Sequence, residues 1–294
     1  MKFGKVDDPS LVDFTLPSTH PETYSVLSRC DTNEPFEVYI GCAKWNKTDL
    51  KGFYPKGTKD ELEYYAKQFN SIELNATYYN TPSKDQIVKW KEKTTPNFKF
   101  FPKITQSISH YSRLLNTDEK VMVFTDAVAM LEEKLGMIFL QMHENFKPKD
   151  FDRLAHFLQS FPKGFPLAVE VRNEEWFADQ TIFNNYCQLL EQTNKTNIIV
   201  DTAGRRDMLH MRLTSPVAFV RYVSANDDSD EKRLNDWLDI IEDWRANGLQ
   251  QLYFFIHQNL ELESPMIATE FIQKVNTRFN LDLPYQGKND LVLF

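Results

Sequence analysis

Apolar positions along this chain follow two alternating rhythms. Short runs read as strands, and longer stripes at i, i+3, i+4 spacing read as amphipathic helices. The strand-like runs are Glu37–Cys42, Ser71–Thr77, Phe98–Lys103, Met137–Gln141, the opening of Pro166–Trp176, Asn197–Asp201, Val217–Tyr222 and Gln251–His257. Helical stripes fall between them, for example Leu62, Tyr65, Ala66 and Phe69, then Val121, Phe124, Val128, Leu131 and Leu135, and later Leu234, Trp237, Leu238, Ile241 and Trp244. Thr58 with Glu61 forms a capping-box pattern that predicts the start of the first helix. Ser83 after Pro82 opens the second, Gly248 stands where the seventh must stop, and Ser264 with Pro265 opens the last. After the sixth strand comes an arginine-bearing connection rather than a clear helix.

Eight strand–helix units predict an α/β protein of the (β/α)8 TIM-barrel class, for which about 250 residues is typical. The chain has 294 residues. An open doubly wound sheet usually brings a glycine-rich first turn, and the sequence holds neither GxGxxG nor GxxxxGK[ST] among its 9 glycines. Pro9, Pro17, Pro21 and Pro35 break any long periodicity near the start. Residues 1–36 are therefore expected to form an irregular N-terminal extension, and residues 37–294 a single barrel domain.

Charge narrows the partners. The net charge of −8 disfavours a whole-surface footprint for nucleic acid or an anionic membrane, although a local basic cleft stays compatible with it. Cys30, Cys42 and Cys187 are odd in number and widely spaced, offering neither a disulfide framework nor a zinc motif, which suits a reducing compartment. No apolar export core and no run of about 18 apolar residues appears, so a cytoplasmic, non-membrane protein is expected. Oligomeric state is not legible.

Several strands are apolar until their C-terminal end and polar there, the end where barrels carry their active sites. In PLAVEVRNEEW, Glu170 and Arg172 share one face of the strand while Val169 and Val171 take the other. The candidates at strand ends and the following loops are Trp45, Glu73, Asn75, Tyr78, Tyr79, Lys103, His110, Gln141, Glu170, Arg172, Asp201, Arg205, Arg206, Arg221 and His257. Glu73, Glu170, Asp201 and His257 are the catalytic candidates. Against this stands a plain alternative, an ion-paired layer in which Arg172 or Arg221 neutralises the two glutamates. Asp201 could equally cap a turn, and His257 could be a hydrogen-bonded core group. Lys103, Arg172, Arg205, Arg206 and Arg221 could ring an anion, with salt bridges to Asp207, Asp201 and Glu170 as the alternative. Trp45, Asn75, Tyr78 and Gln141 complete the expected substrate-binding set, the aromatics either stacking a ring or packing beneath loops.

The segments IGCAKWNKTDLKGFYPKG, YYAKQFNSIELNATYYNTPS, VEVRNEEWF, VDTAGRRDMLHMRLT and FFIHQ resemble, in order, the YecE-like family, a domain of unknown function. The resemblance spans roughly Tyr39 to Phe271 and implies a TIM barrel. Many members read G-[ST]-x-G-W where this chain has Gly41, Cys42, Ala43, Lys44 and Trp45, so Lys44 adds a cation and removes a glycine. Such barrels are similar in fold to metal-dependent nucleases acting at abasic DNA sites, an analogy of fold alone.

A multinuclear zinc site draws on several histidines, and only His257 of the 6 ends a strand. No cofactor is expected, although one Mg²⁺ or Mn²⁺ on Glu73, Glu170 or Asp201 fits the oxygen donors. Three readings follow. The first is a hydrolase or lyase acting on an anionic, phosphate-bearing small molecule, with Glu73 and Glu170 as general acid and base, their pKa values pushed apart. The second is a divalent-metal phosphodiesterase or nuclease. The third is a non-catalytic ligand-binding or scaffold protein.

Overall fold

A computed structural model describes residues 4–258 and 263–288. The eight strands are β1 (Glu37–Cys42), β2 (Ser71–Leu74), β3 (Lys99–Pro102), β4 (Ile138–Gln141), β5 (Leu167–Glu170), β6 (Thr196–Asp201), β7 (Val217–Ser224) and β8 (Gln251–Gln258). All pair in parallel, in the order β3-β2-β1-β8-β7-β6-β5-β4. Two bridges, Phe100 to Leu135 and Lys103 to Phe139, bring β3 beside β4 and close the ring. The protein is an α/β barrel, as the strand count predicts.

The helices wrap the ring. They are α1 (Pro21–Leu27), α2 (Glu61–Gln68), α3 (Ala76–Tyr79), α4 (Lys84–Glu92), α5 (Asp118–Val128), α6 (Phe151–Ser160), α7 (Glu175–Ala178), α8 (Gln180–Gln192), α9 (Ser229–Ala246) and α10 (Ser264–Phe279). Their apolar stripes face the outward-pointing strand residues, so Ile40, Leu74, Val169 and Phe254 lie under helices. Inward-pointing residues form a second cluster that plugs the ring. Phe101 meets Tyr253 and Phe255 at ring-centroid distances of 4.6 and 4.8 Å, and Phe139 meets Phe219 at 5.7 Å. Strand alternation sends one set of side chains to each cluster.

Several local expectations are corrected. The helix expected after Thr58 is α2, and its cap is Asp60, whose carboxylate accepts from Glu63 N at 3.0 Å, while Thr58 Oγ1 donates to Pro55 O in the preceding turn. The second strand stops at Leu74 instead of Thr77, because Asn75 turns to helical dihedrals and starts α3. Pro21 does not break structure; it is the first residue of α1, where its missing N–H leaves nothing unpaired. The connection after β6 carries only a short 3₁₀ turn at Arg206–Met208, as its residues suggest.

The N-terminal segment is stitched to the β6–β7 side of the barrel. His20 N donates to Met211 O (3.1 Å), Leu213 N donates to Thr23 Oγ1 (3.0 Å) and Trp244 Nε1 donates to Thr19 Oγ1 (2.9 Å).

One glycine is fixed by crowding. A Cβ on Gly41 in β1 would lie 2.1 Å from the Ser71 carbonyl oxygen of β2, a main-chain atom that cannot swing away. Gly41→Ala is expected to lower the unfolding free energy by about 1–3 kcal/mol, read as a reduced urea midpoint at unchanged slope.

Candidate functional site at the barrel mouth

Above the aromatic plug, β2, β3, β4, β5, β7 and β8 each send one inward polar side chain toward the C-terminal mouth. Arg221 stands at the centre, its guanidinium 5.7 Å from the Phe139 ring centroid. It donates to Glu73 through Nε (2.8 Å) and Nη2 (3.0 Å), and to Glu170 through Nη1 (2.7 Å). Arg172 Nε donates to Glu170 Oε1 at 2.5 Å, and Gln141 Nε2 reaches the same oxygen at 3.0 Å. Asn75 Nδ2 donates to Glu73 Oε1 at 2.7 Å, and His257 Nε2 lies 2.9 Å from Glu73 Oε2. Lys103 Nζ donates to Gln141 Oε1 at 2.7 Å and sits 4.3 Å from the centroid of the Tyr78 ring.

Glu73 and Glu170 are 0% and 1% exposed. Burial alone would raise their pKa values, but the cations win. Arg221 and His257 hold Glu73 well below the ordinary range, and Arg172 with Arg221 brings Glu170 down to about 2. The expectation of an acid and a base with separated pKa values is therefore corrected, because both carboxyls shift downward and both stay ionised. An ionised Glu73 only accepts hydrogen bonds, so the His257 nitrogen that faces it, Nε2, carries a proton.

Lys103 has the opposite fate. Its burial, followed by the repulsion of Arg221 and Arg172, pushes the amine down to about 7. Among the described residues it has no carboxylate within ion-pair distance, only the Gln141 carbonyl oxygen.

A cavity of about 260 Å³ opens over this cluster. Lys44, Lys103, Arg172, Arg221 and His257 line it, with no carboxylate among the described lining residues. Asn75, Gln141 and Tyr78 supply neutral polar groups, and Tyr79, 65% exposed, forms its rim. A larger hollow of about 760 Å³ lies at the opposite end, between Pro166, Thr196 and Pro216, but among its described lining residues only Lys163 and Lys195 are charged. The ionisable groups converge at the C-terminal mouth.

Other expected site residues lie elsewhere. Asp201 ends β6 on the outward face, where it accepts from Trp237 Nε1 (2.8 Å) and pairs with Arg233 (2.8 Å) and Arg206. Arg205 makes a two-pronged pair with Asp207 (2.8 and 2.7 Å), so the anion-ring expectation does not hold for Arg205 and Arg206. Trp45 packs edge-on against Trp90 of α4 at 5.7 Å and does not line the cavity. His110 sits on a π-helical turn, Ser107–Tyr111, against Tyr78 and His143, where burial and His143 push it down to about 4. Arg233 went unnoticed in the sequence, although it lies in register with Trp237, Ile241 and Trp244, an apolar stripe where a charge is out of place.

Among the described residues, no group of three His, Cys, Asp or Glu side chains is arranged to hold a metal ion. No helix of the described residues is long and apolar enough to cross a membrane.

A closed parallel ring with a polar cluster at its C-terminal mouth defines a (β/α)8 barrel protein. A family model described as "Protein of unknown function DUF72" matches residues 39–288, and the chain belongs to that family. UPF0759 protein YecE of Escherichia coli K12 is 29% identical over 242 residues, covering 75% of this chain and 86% of that protein. UPF0759 protein YunF of Bacillus subtilis 168 is 27% identical over 151 residues, covering 48% and 52%. Crystal structures of DUF72 family proteins share the fold. The Thermotoga maritima protein aligns with a TM-score of 0.65 at 23% identity (82% of this chain, 99% of that one), and the Enterococcus faecalis protein with 0.64 at 18% (85% and 100%).

Two outcomes test this electrostatic layout. Arg221→Met leaves two buried carboxylates short of their shared cation and is expected to destabilise the fold by about 3–5 kcal/mol in denaturant titration, with part recovered on adding Glu73→Gln and Glu170→Gln. Lys103→Met is expected to be more stable than the parent near pH 7, with the gap closing toward pH 10. The sign follows because the unfolded lysine holds its proton up to 10.5 while the folded one releases it near 7, so the parent gains stability across that window. A gap constant from pH 6 to pH 10 would contradict the buried-amine assignment.

Proposed function

We propose that the mouth cavity binds a small anionic molecule and that the protein acts on it as a hydrolase or lyase. The observation that carries this reading is the cavity wall, in which Lys103, Arg172, Arg221 and His257 face one space without a described carboxylate, while Lys44 at its edge pairs with Asp49 at 3.2 Å. Glu73 and Glu170 lie beneath as counter-ions that keep the guanidinium groups ionised and fixed. Cations held in place by a buried network need little reorganisation when an anion arrives, which favours both binding and stabilisation of developing negative charge. Phosphate and carboxylate both match a guanidinium fork.

In this reading the proton carrier is His257. Glu73 holds Nε2–H and leaves Nδ1 as the basic nitrogen, so the pair resembles other carboxylate-oriented imidazoles in general acid–base roles. Glu170 positions Arg172 and Arg221 and carries no proton. The cavity volume, near the low end of ligand sites, suits a small metabolite rather than a polymer. The three cysteines are free thiols, in keeping with a cytoplasmic setting.

One observation favours a second reading, a non-catalytic binder. Both glutamates accept several hydrogen bonds, from Arg221, Asn75 and His257 at Glu73 and from Arg221, Arg172 and Gln141 at Glu170, as they would in a purely structural ion-pair layer. The same bonds weigh against a metal-dependent phosphodiesterase, since the glutamates' lone pairs are already engaged. Thermal-shift titration with inorganic phosphate, phosphorylated metabolites and small carboxylates distinguishes these readings. Arg172→Gln is expected to weaken the best ligand by about 10- to 100-fold, the scale of a charged hydrogen bond. Binding that survives with no turnover by the parent supports the binder, and cleavage of abasic DNA dependent on Mg²⁺ or Mn²⁺ supports the phosphodiesterase.

A further inference from the structure

Lys103 is the ionisable group of the mouth that the foregoing reading uses least. The residue is 3% exposed, and among the described residues its Nζ meets Gln141 Oε1 and the ring faces of Tyr78 and, farther off, Phe139, with the Arg221 and Arg172 charges acting on it. A buried ammonium without a counter-ion is costly, whereas a neutral amine in the same place is not. The neutral amine needs one acceptor for an N–H, which Gln141 supplies, and it keeps a lone pair. Gln141 is itself held by Glu170 through its Nε2, so its carbonyl oxygen must face Lys103. The arrangement fixes an unprotonated amine at the wall of a cation-lined cavity.

We infer that Lys103 is an imine-forming nucleophile, and that the substrate is a small aldehyde or ketone carrying a carboxylate or phosphate group. This rests on the anion-binding reading and adds the reacting group to it. The Nζ lone pair attacks the carbonyl carbon while Arg172, on the same cavity wall, holds the anionic group. The carbonyl oxygen takes up protons and leaves as water, so amine, carbonyl compound and one proton give a protonated imine and water. That imine accepts the electron pair of an adjacent C–H or C–C bond as it breaks, forming an enamine. Protonation of the enamine carbon and hydrolysis by water return the free amine, with no oxidant or reductant consumed. His257 Nδ1 is the available base for the released proton. The Tyr78 ring face favours the cationic imine over its neutral precursor.

Reductive trapping tests this on the full chain. The protein is incubated with sodium cyanoborohydride and one of three aldehydes, namely glyoxylate, glycolaldehyde phosphate or uncharged glycolaldehyde, and modified lysines are mapped by peptide mass. Lys103 is expected to be labelled at pH 7.5 at least about tenfold faster than any other lysine, because the larger part of its amine is unprotonated there while ordinary lysines are almost wholly protonated. Its labelling should level off above pH 8, whereas surface lysines keep accelerating. Glyoxylate against glycolaldehyde phosphate decides between a carboxylate and a phosphate as the held anion. In parallel, inorganic phosphate is added as a competitor, and its binding to Lys103→Met is measured by calorimetry.

Preferential labelling of Lys103 by the charged aldehydes, slowed by phosphate, supports the inference. Equal labelling by charged and uncharged aldehydes keeps the nucleophile and removes the anion-binding reading. Labelling of Lys103 no faster than surface lysines overturns the nucleophile, and phosphate binding retained by Lys103→Met then leaves the anion-binding reading standing.

Discussion

A guanidinium shared by two buried carboxylates organises this barrel. Arg221 lies between Glu73 from β2 and Glu170 from β5, on strands that are not neighbours in the ring. Each carboxylate would be costly alone beneath the mouth, and the arginine would be too. Together they form a bridge across the barrel axis, standing on an aromatic plug that excludes water. The bridge fixes what surrounds it. His257 takes its tautomer from Glu73, and Gln141 takes its amide orientation from Glu170. Lys103 then finds an acceptor but, among the described residues, no carboxylate within ion-pair distance.

The same bridge explains why the glutamates act through the groups they hold. Their negative charge is spent within the cluster, on Arg221, Arg172 and His257. Within the cluster the two guanidinium groups and the two carboxylates balance, but the carboxylates lie beneath and the described cavity wall carries the guanidinium face, so what an incoming molecule meets differs from the charge of the acidic protein as a whole.

Much of the fold was legible in the sequence, because parallel strands buried on both faces read as short apolar runs and the intervening helices carry regular stripes. The inward face was legible where polar residues alternate with apolar ones. Glu170 with Arg172, and Glu73 with Asn75, fall on one face by parity, and the structure aims them at the mouth. NIIVD offers no such alternation, so nothing in it tells whether Asp201 points in or out. Only the register between β6 and β7 decides, and it sends Asp201 outward to Trp237 and Arg233. Arg205 and Arg206 were misplaced for a related reason, since Asp207 and Asp201 consume them locally. The position of Lys103 is a strand-end feature that the sequence carries, but its isolation from carboxylates depends on contacts across the ring.

The strand ladder also joins distant parts of the sequence. Glu37–Cys42 pairs along its whole length with Gln251–Ile256, and β8 is bound equally fully by β7 on its other side, whereas β3 and β4 meet through two bridges only. The β1–β8 ladder joins Glu37 to a residue 214 positions away in sequence, so of the pairings in the cylinder it closes the longest loop and carries the largest chain-entropy cost. The long paired edges of β8, bonded to β1 on one side and β7 on the other, offset that cost.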